Sequence, residues 1–164
     1  MSGIPDERTG DSVKVRFELE QDDDGWPPAK SEGVWAKPLG RDEYELDNVP
    51  WFARGVAFGD RVRATPDQDG VLWVQEQVAW CGRLTIRVFP LQDGSAEDQI
   101  RDVIDRFSAL GAECESALPA YKIVALDIPS GVDLAAIKTL LREGESAGRW
   151  GFEEGCIDDA WKAL

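Results

Sequence analysis

From Val13 to Glu20 the chain alternates apolar and charged residues without a break, Val-Lys-Val-Arg-Phe-Glu-Leu-Glu. A period of two puts Val13, Val15, Phe17 and Leu19 on one side of an extended chain, the mark of a half-buried β-strand. Gln21 to Lys30 then brings three aspartates, a glycine and two prolines, a loop by composition. Gly33–Leu39 and Glu43–Asp47 predict a hairpin turning at Gly40-Arg41-Asp42. Asp60–Thr65 alternates again, Asp67-Gln68-Asp69-Gly70 signals a turn, and Val71–Glu76 reads as a further strand. Strands this short and this closely spaced predict a small open barrel or strongly bent sheet, SH3-like, over residues 13–80. Residues 1–12 read as a flexible tail.

The period then changes. Leu84–Phe89 predicts a strand ended by Pro90, and Ser95 with Asp98 resembles a capping box. Ile100, Val103, Ile104, Phe107 and Leu110 follow at helical spacing, with Gly111 as terminator. Strands are expected near residues 112–118 and 121–128. A second helix is expected from Asp133, carrying Leu134, Ile137, Leu140 and Leu141 and stopped by Gly144, and a last strand over residues 149–153. Strand, helix, strand, strand, helix, strand is the order of a ferredoxin-like split βαβ unit, assigned to residues 81–157, with 158–164 as a C-terminal tail. The expected class is therefore α+β.

Between the barrel strands lies Val49–Asp60, where Trp51, Phe52 and Phe58 are broken by Gly55 and Gly59 and led in by Pro50. This loop is expected to plug or cap the barrel and to offer the best contact surface. Trp51 and Phe58 are expected to pack, and Phe52 with Arg54 to be the exposed pair, as aromatic and arginine anchors are at interfaces. Trp35 and Trp73 are expected inside the barrel or between the halves.

Composition narrows the chemistry. The chain has 164 residues, 43% of them hydrophobic, and seven tryptophans, enough for a folded core. No apolar run reaches the roughly 18–20 residues that span a bilayer, and the start lacks a signal-peptide pattern, so a cytoplasmic location is expected. A net charge of −14 disfavours nucleic acid and anionic membrane and attracts basic partners or cationic ligands, although an acidic surface also serves solubility alone, the commoner case. There is no histidine, which removes imidazole acid–base and triad chemistry and His-containing zinc sites. Cys81, Cys114 and Cys156 are odd in number and widely spaced, so reduced thiols are expected.

The remaining motifs are weak. Asp67-x-Asp69-Gly70 begins like a calcium loop, but Val78 stands where the twelfth-position glutamate belongs. Asp22–Asp24 and the acids from Glu153 to Asp159 read as solvated faces, so no metal and no cofactor are expected. Neither a G-x-G-x-x-G nor a phosphate-binding P-loop is present. At the junction Trp80-Cys81-Gly82-Arg83, the arginine could activate the thiol, but no base lies nearby in sequence. Cys81 therefore reads as a small buried hinge residue, Cys114 as core and Cys156 as the most exposed of the three.

Ser31–Ala36, Leu46–Ala53, Gly59-Asp60-x-Val62, Pro66-Asp67-x-Asp69-Gly70 and Glu153-Glu154-Gly155-Cys156 together make the chain similar to the bacterial domain-of-unknown-function family 4265. The resemblance runs from about Val13 to Cys156 and implies a small bacterial protein, without bringing an activity or catalytic residues. The leading expectation is a non-enzymatic module binding a basic protein, such as an immunity protein or antitoxin facing a basic toxin. Its candidate binding residues are Phe52, Arg54, Trp80, Cys81, Glu153 and Glu154. The alternatives are a small-molecule sensor using an inter-subdomain cleft and an enzyme using Cys81 or a carboxylate pair.

Overall fold

A computed structural model describes residues 11–164; the tail read over residues 1–12 lies almost wholly outside them. The chain divides between Cys81 and Gly82 into two compact units. Each is described by itself.

In the first unit, β1 (Val13–Glu18), β2 (Ser31–Gly40), β3 (Glu43–Leu46), β4 (Arg61–Pro66) and β5 (Leu72–Ala79) form a closed barrel, not an open one. Closure comes from a short parallel pairing of β1 with β5, Val15 opposite Leu72 and Arg16 opposite Trp73. Alternation sorts the faces as expected. Val15, Val34, Ala36, Leu46, Val62 and Ala64 are buried together, with Phe17, Leu19, Leu72 and Val74 packed against them. Trp35 and Trp73 have the opposite parity and stand half-buried on the outer face. Lys14 Nζ lies 5.1 Å from the Trp35 ring centre, and Trp73 Nε1 donates to Asp67 Oδ2 at 2.9 Å. They do not fill the barrel, because small and branched residues already do. The β2–β3 hairpin turns on Arg41 and Asp42, both at positive φ as a two-residue type I′ turn requires.

The second unit is a four-stranded antiparallel sheet in the order β7-β8-β6-β9, made of β6 (Leu84–Pro90), β7 (Glu113–Ser116), β8 (Val124–Ile128) and β9 (Trp150–Cys156). Helix α1 (Ala96–Ser108) follows β6 and α2 (Leu134–Ser146) follows β8. Ser95 Oγ and Asp133 Oδ1 accept from the third residue on, Asp98 N–H at 3.2 Å and Ala136 N–H at 3.1 Å, so both predicted N-caps are in place. Ile100, Val103 and Phe107 of α1 and Ile137 and Leu141 of α2 share one core with Leu84, Ile86, Val88, Val124, Leu126 and Ile128.

Two expectations change here. Gly144 does not stop α2. It lies in the helix, where a Cβ would stand 2.0 Å from the Trp150 ring, so the missing side chain makes the socket for a fully buried indole. The helix ends on Gly148 (φ 71°), where Arg149 N–H bonds Gly144 C=O at 2.9 Å and Gly148 N–H bonds Glu145 C=O at 3.1 Å. Residues 158–164 are not a loose tail. Asp158 caps a one-turn helix α3 (Asp159–Lys162), and Trp161 is 0% exposed in the core. Among the described residues no helix is long and apolar enough to cross a membrane.

Candidate functional site

The Val49–Asp60 loop has little ladder of its own, and two buried carboxylates supply its order. Glu32, on β2, accepts from the backbone N–H groups of Trp51, Phe52 and Ala53, the last two at 2.9 Å. Asp60 accepts from Ala57 N–H (2.9 Å), Cys81 N–H (2.9 Å) and Gln77 Nε2 (2.6 Å). A buried carboxylate that gathers several N–H donors offsets its own desolvation and satisfies backbone groups that have no strand partner.

Beside this loop lies a groove of about 300 Å³ lined by Phe17, Glu18, Leu19, Glu20, Pro27, Phe52, Ala53 and Arg54. Its floor is apolar, and the exposed Glu18, Glu20 and Arg54 carry the charge. Phe52 is a floor residue only 8% exposed, its ring edge-on to Trp26 with centres 5.8 Å apart. The expected exposed pair is thus divided: Arg54 faces solvent, Phe52 is buried, and Trp51 and Phe58 are half-buried. The reason is the three N–H bonds to Glu32, which turn the backbone at Phe52 inward. A second groove of about 470 Å³ shares Glu18 and is bordered by Thr65, Asp67, Trp73, Val74 and Gln75. There the Trp73 indole and three backbone N–H groups of the turn hold the Asp67 carboxyl below its ordinary value.

The other candidate residues do not join this groove. Trp80 is 44% exposed, and Cys81 is exposed, not a buried hinge. The Cys81 Sγ donates to the Phe58 carbonyl oxygen at 2.9 Å, and its backbone N–H to Asp60 Oδ1. Cys156, expected to be the most exposed thiol, is buried. Cys114 is half-buried, and burial raises its thiol pKa.

Glu153 and Glu154, both on β9, are occupied inside the second unit. Arg87, fully buried on β6, donates from Nε to Glu153 Oε1 at 2.6 Å, and Trp161 Nε1 donates to Glu154 Oε2 at 2.6 Å. Gly155 makes room for this, since a Cβ there would stand 2.8 Å from the Arg87 guanidinium carbon. Arg83 grips Asp127 through Nε and one terminal nitrogen, at 2.8 and 2.7 Å. Burial nevertheless leaves the Asp127 carboxyl above its ordinary value. Among the described residues no three His, Cys, Asp or Glu side chains are placed to hold a metal ion.

Glu18, Glu20 and Pro27 escaped the sequence reading as groove residues. The signal for Glu32 was present: it shares the parity of Val34 and Ala36, so an acid fell on the inward face.

The family model described as a domain of unknown function, DUF4265, matches residues 32–152. The chain belongs to this family. The match covers most of the DUF4265 chain, including Glu32, the whole Val49–Asp60 loop and the sheet unit as far as Phe152. A solved structure described as a novel crystal structure of a hypothetical protein from Neisseria gonorrhoeae is similar, with a TM-score of 0.73 at 15% identity over 89% of this chain and 95% of that one. At that identity the likeness concerns the fold. No curated protein matches the sequence.

Proposed function

We propose that this DUF4265 protein is a non-enzymatic binding module whose acidic barrel face engages a basic protein partner, in the manner of an immunity protein or antitoxin. One observation carries the reading. Residues 17–29 contain five carboxylates and no lysine or arginine; all five are exposed, and Glu18 and Glu20 line the groove beside its apolar floor. Apolar floor with charged rim is the make-up of an interface that gains affinity at its centre and encounter rate at its edge.

The best-ordered carboxylates elsewhere, Glu32, Asp60, Asp127, Glu153 and Glu154, have internal donors and serve the fold. We read the barrel as SH3-like and the second unit as ferredoxin-like, a reading supported by the β7-β8-β6-β9 order with a helix after β6 and after β8. No disulfide links Cys81, Cys114 and Cys156, which supports a reducing, cytoplasmic location.

Affinity capture with the full chain from its own cell extract, at low and at raised salt, tests the proposal. A basic protein that is retained at low salt, released by salt and lost with Glu18→Lys/Glu20→Lys supports it. Retention of only neutral or acidic proteins, or capture unchanged in that variant, overturns it.

A further inference from the structure

The barrel closes on its shortest seam. Strand β5 pairs with β4 from one end to the other, Pro66 opposite Leu72 through Arg61 opposite Ala79. On its other side it meets β1 only at Leu72 and Trp73. From Phe17 on, β1 pairs with β2 alone, Phe17 opposite Glu32 and Glu18 opposite Ser31. Among the described residues no strand therefore lies along the second edge of Val74–Ala79, and Gln75 to Ala79 are all exposed. An unpaired edge of six residues is as long as an ordinary strand and presents backbone donors and acceptors to any extended chain.

We infer that this edge is a strand-addition site for an extended, lysine- or arginine-bearing segment of the basic partner; the inference rests on the acidic-binder reading above. Backbone bonds to β5 would supply affinity, and alternate side chains would supply specificity. Charge selects the occupant. Glu18 lines both grooves and Glu20 one of them, whereas Glu76, on the edge strand itself, is already paired with Arg63 of β4. Every second side chain of an added strand would point to the outer face, where cations meet Glu18. A second copy of the chain is a poor occupant, because each copy carries a net charge of −14.

The test uses the full chain, labelled with ¹⁵N, and a capped Lys-Val-Lys-Val-Lys-Val-Lys peptide. The expected result is saturable amide shifts concentrated at Val74–Ala79 and Phe17–Glu20. Affinity should fall about tenfold with Glu18→Lys/Gln75→Lys, which reverses the local charge. It should also fall for a peptide methylated on alternate backbone nitrogens, which keeps its charge but loses donors. Shifts elsewhere, or equal binding of the methylated peptide, overturn the seam while leaving the acidic-binder reading standing. A capped Glu-Val-Glu-Val-Glu-Val-Glu peptide should not bind, and equal binding of it overturns the charge selection. Concentration-dependent broadening of residues 74–79 without peptide would assign the edge to a second copy and overturn the proposal. If neither the peptide nor any basic protein binds, the acidic-binder reading falls and the seam with it.

Discussion

Glu32 and Asp60, in the barrel unit, accept their hydrogen bonds from backbone N–H groups and one side-chain amide. Asp127 and Glu153, in the sheet unit, face the guanidinium groups of Arg83 and Arg87. The difference follows from what surrounds each acid. In the sheet unit the strands already satisfy one another, so an ion pair adds a link between neighbours, Arg87 lying opposite Glu153 in the β6–β9 register. In the barrel unit the acids serve backbone instead: they accept from the N–H groups of Trp51, Phe52, Ala53 and Ala57. A carboxylate used as a backbone staple should be harder to lose than one used as a cross-strand link.

Glu32→Ala is the severest test of that contrast. It removes the acceptor of three N–H donors, and at roughly 1–3 kcal/mol for each buried hydrogen bond lost the cost should be about 4 kcal/mol. Denaturant midpoints should show it, with faster amide exchange confined to the Val49–Asp60 loop. Glu32→Gln, which keeps one acceptor oxygen, should recover about half of that. If exchange quickens equally in the sheet unit, the staple is not local. Next comes Gly144→Ala, where overpacking against Trp150 should cost about 3 kcal/mol. Combining it with Trp150→Phe should return part of the loss, and failure to do so would place the strain elsewhere. Gly55→Ala in the barrel loop is the smaller counterpart. Gly55 has φ 76° and nothing within 4 Å of a would-be Cβ, so only the backbone penalty of about 1 kcal/mol remains.

The smallest effect is one of pH, and it has opposite signs in the two units. Burial holds Asp127 above its ordinary 3.8, so the folded state binds that proton more tightly than the unfolded chain. Its contribution is fully present below 3.8 and is lost as pH rises through the raised folded value. Asp67 is held below 3.8 by its hydrogen bonds, so its contribution is present above 3.8 and is lost as pH falls through the lowered value. Stability of the parent minus Asp127→Asn should therefore decline with rising pH. The same difference for Asp67→Asn should grow. Matching slopes would refute the assignment.

The strand and helix order was legible because each element carries its own period: Val13–Leu19 alternates, and Ile100, Val103 and Phe107 recur at helical spacing. Three of the departures share one cause, a contact with residues distant in sequence. Gly144 reads as a stop until Trp150, from the next strand, is known to lie on it. The last seven residues read as a tail until Trp161 is seen in the core. Phe52 reads as an exposed anchor until Glu32, twenty residues earlier, draws its backbone inward. The groove was half legible for the same reason. Arg54 and Phe52 were named from the loop, whereas Glu18, Glu20 and Pro27 come from a different segment, which the pairing of Phe17 with Glu32 brings alongside.

The seven indoles are divided unevenly between the units. Trp26, Trp35, Trp51, Trp73 and Trp80 in the barrel unit all retain contact with solvent, while Trp150 and Trp161 in the sheet unit are at most 1% exposed. Solvent relaxation shifts indole emission to the red, so light from the two units differs in colour, and a collisional quencher such as acrylamide reaches one set before the other. The protein thus carries a built-in two-channel optical reporter. Long-wavelength, readily quenched emission follows the barrel, and short-wavelength, protected emission follows the sheet. An unlabelled sample can report in a single titration which half opens first.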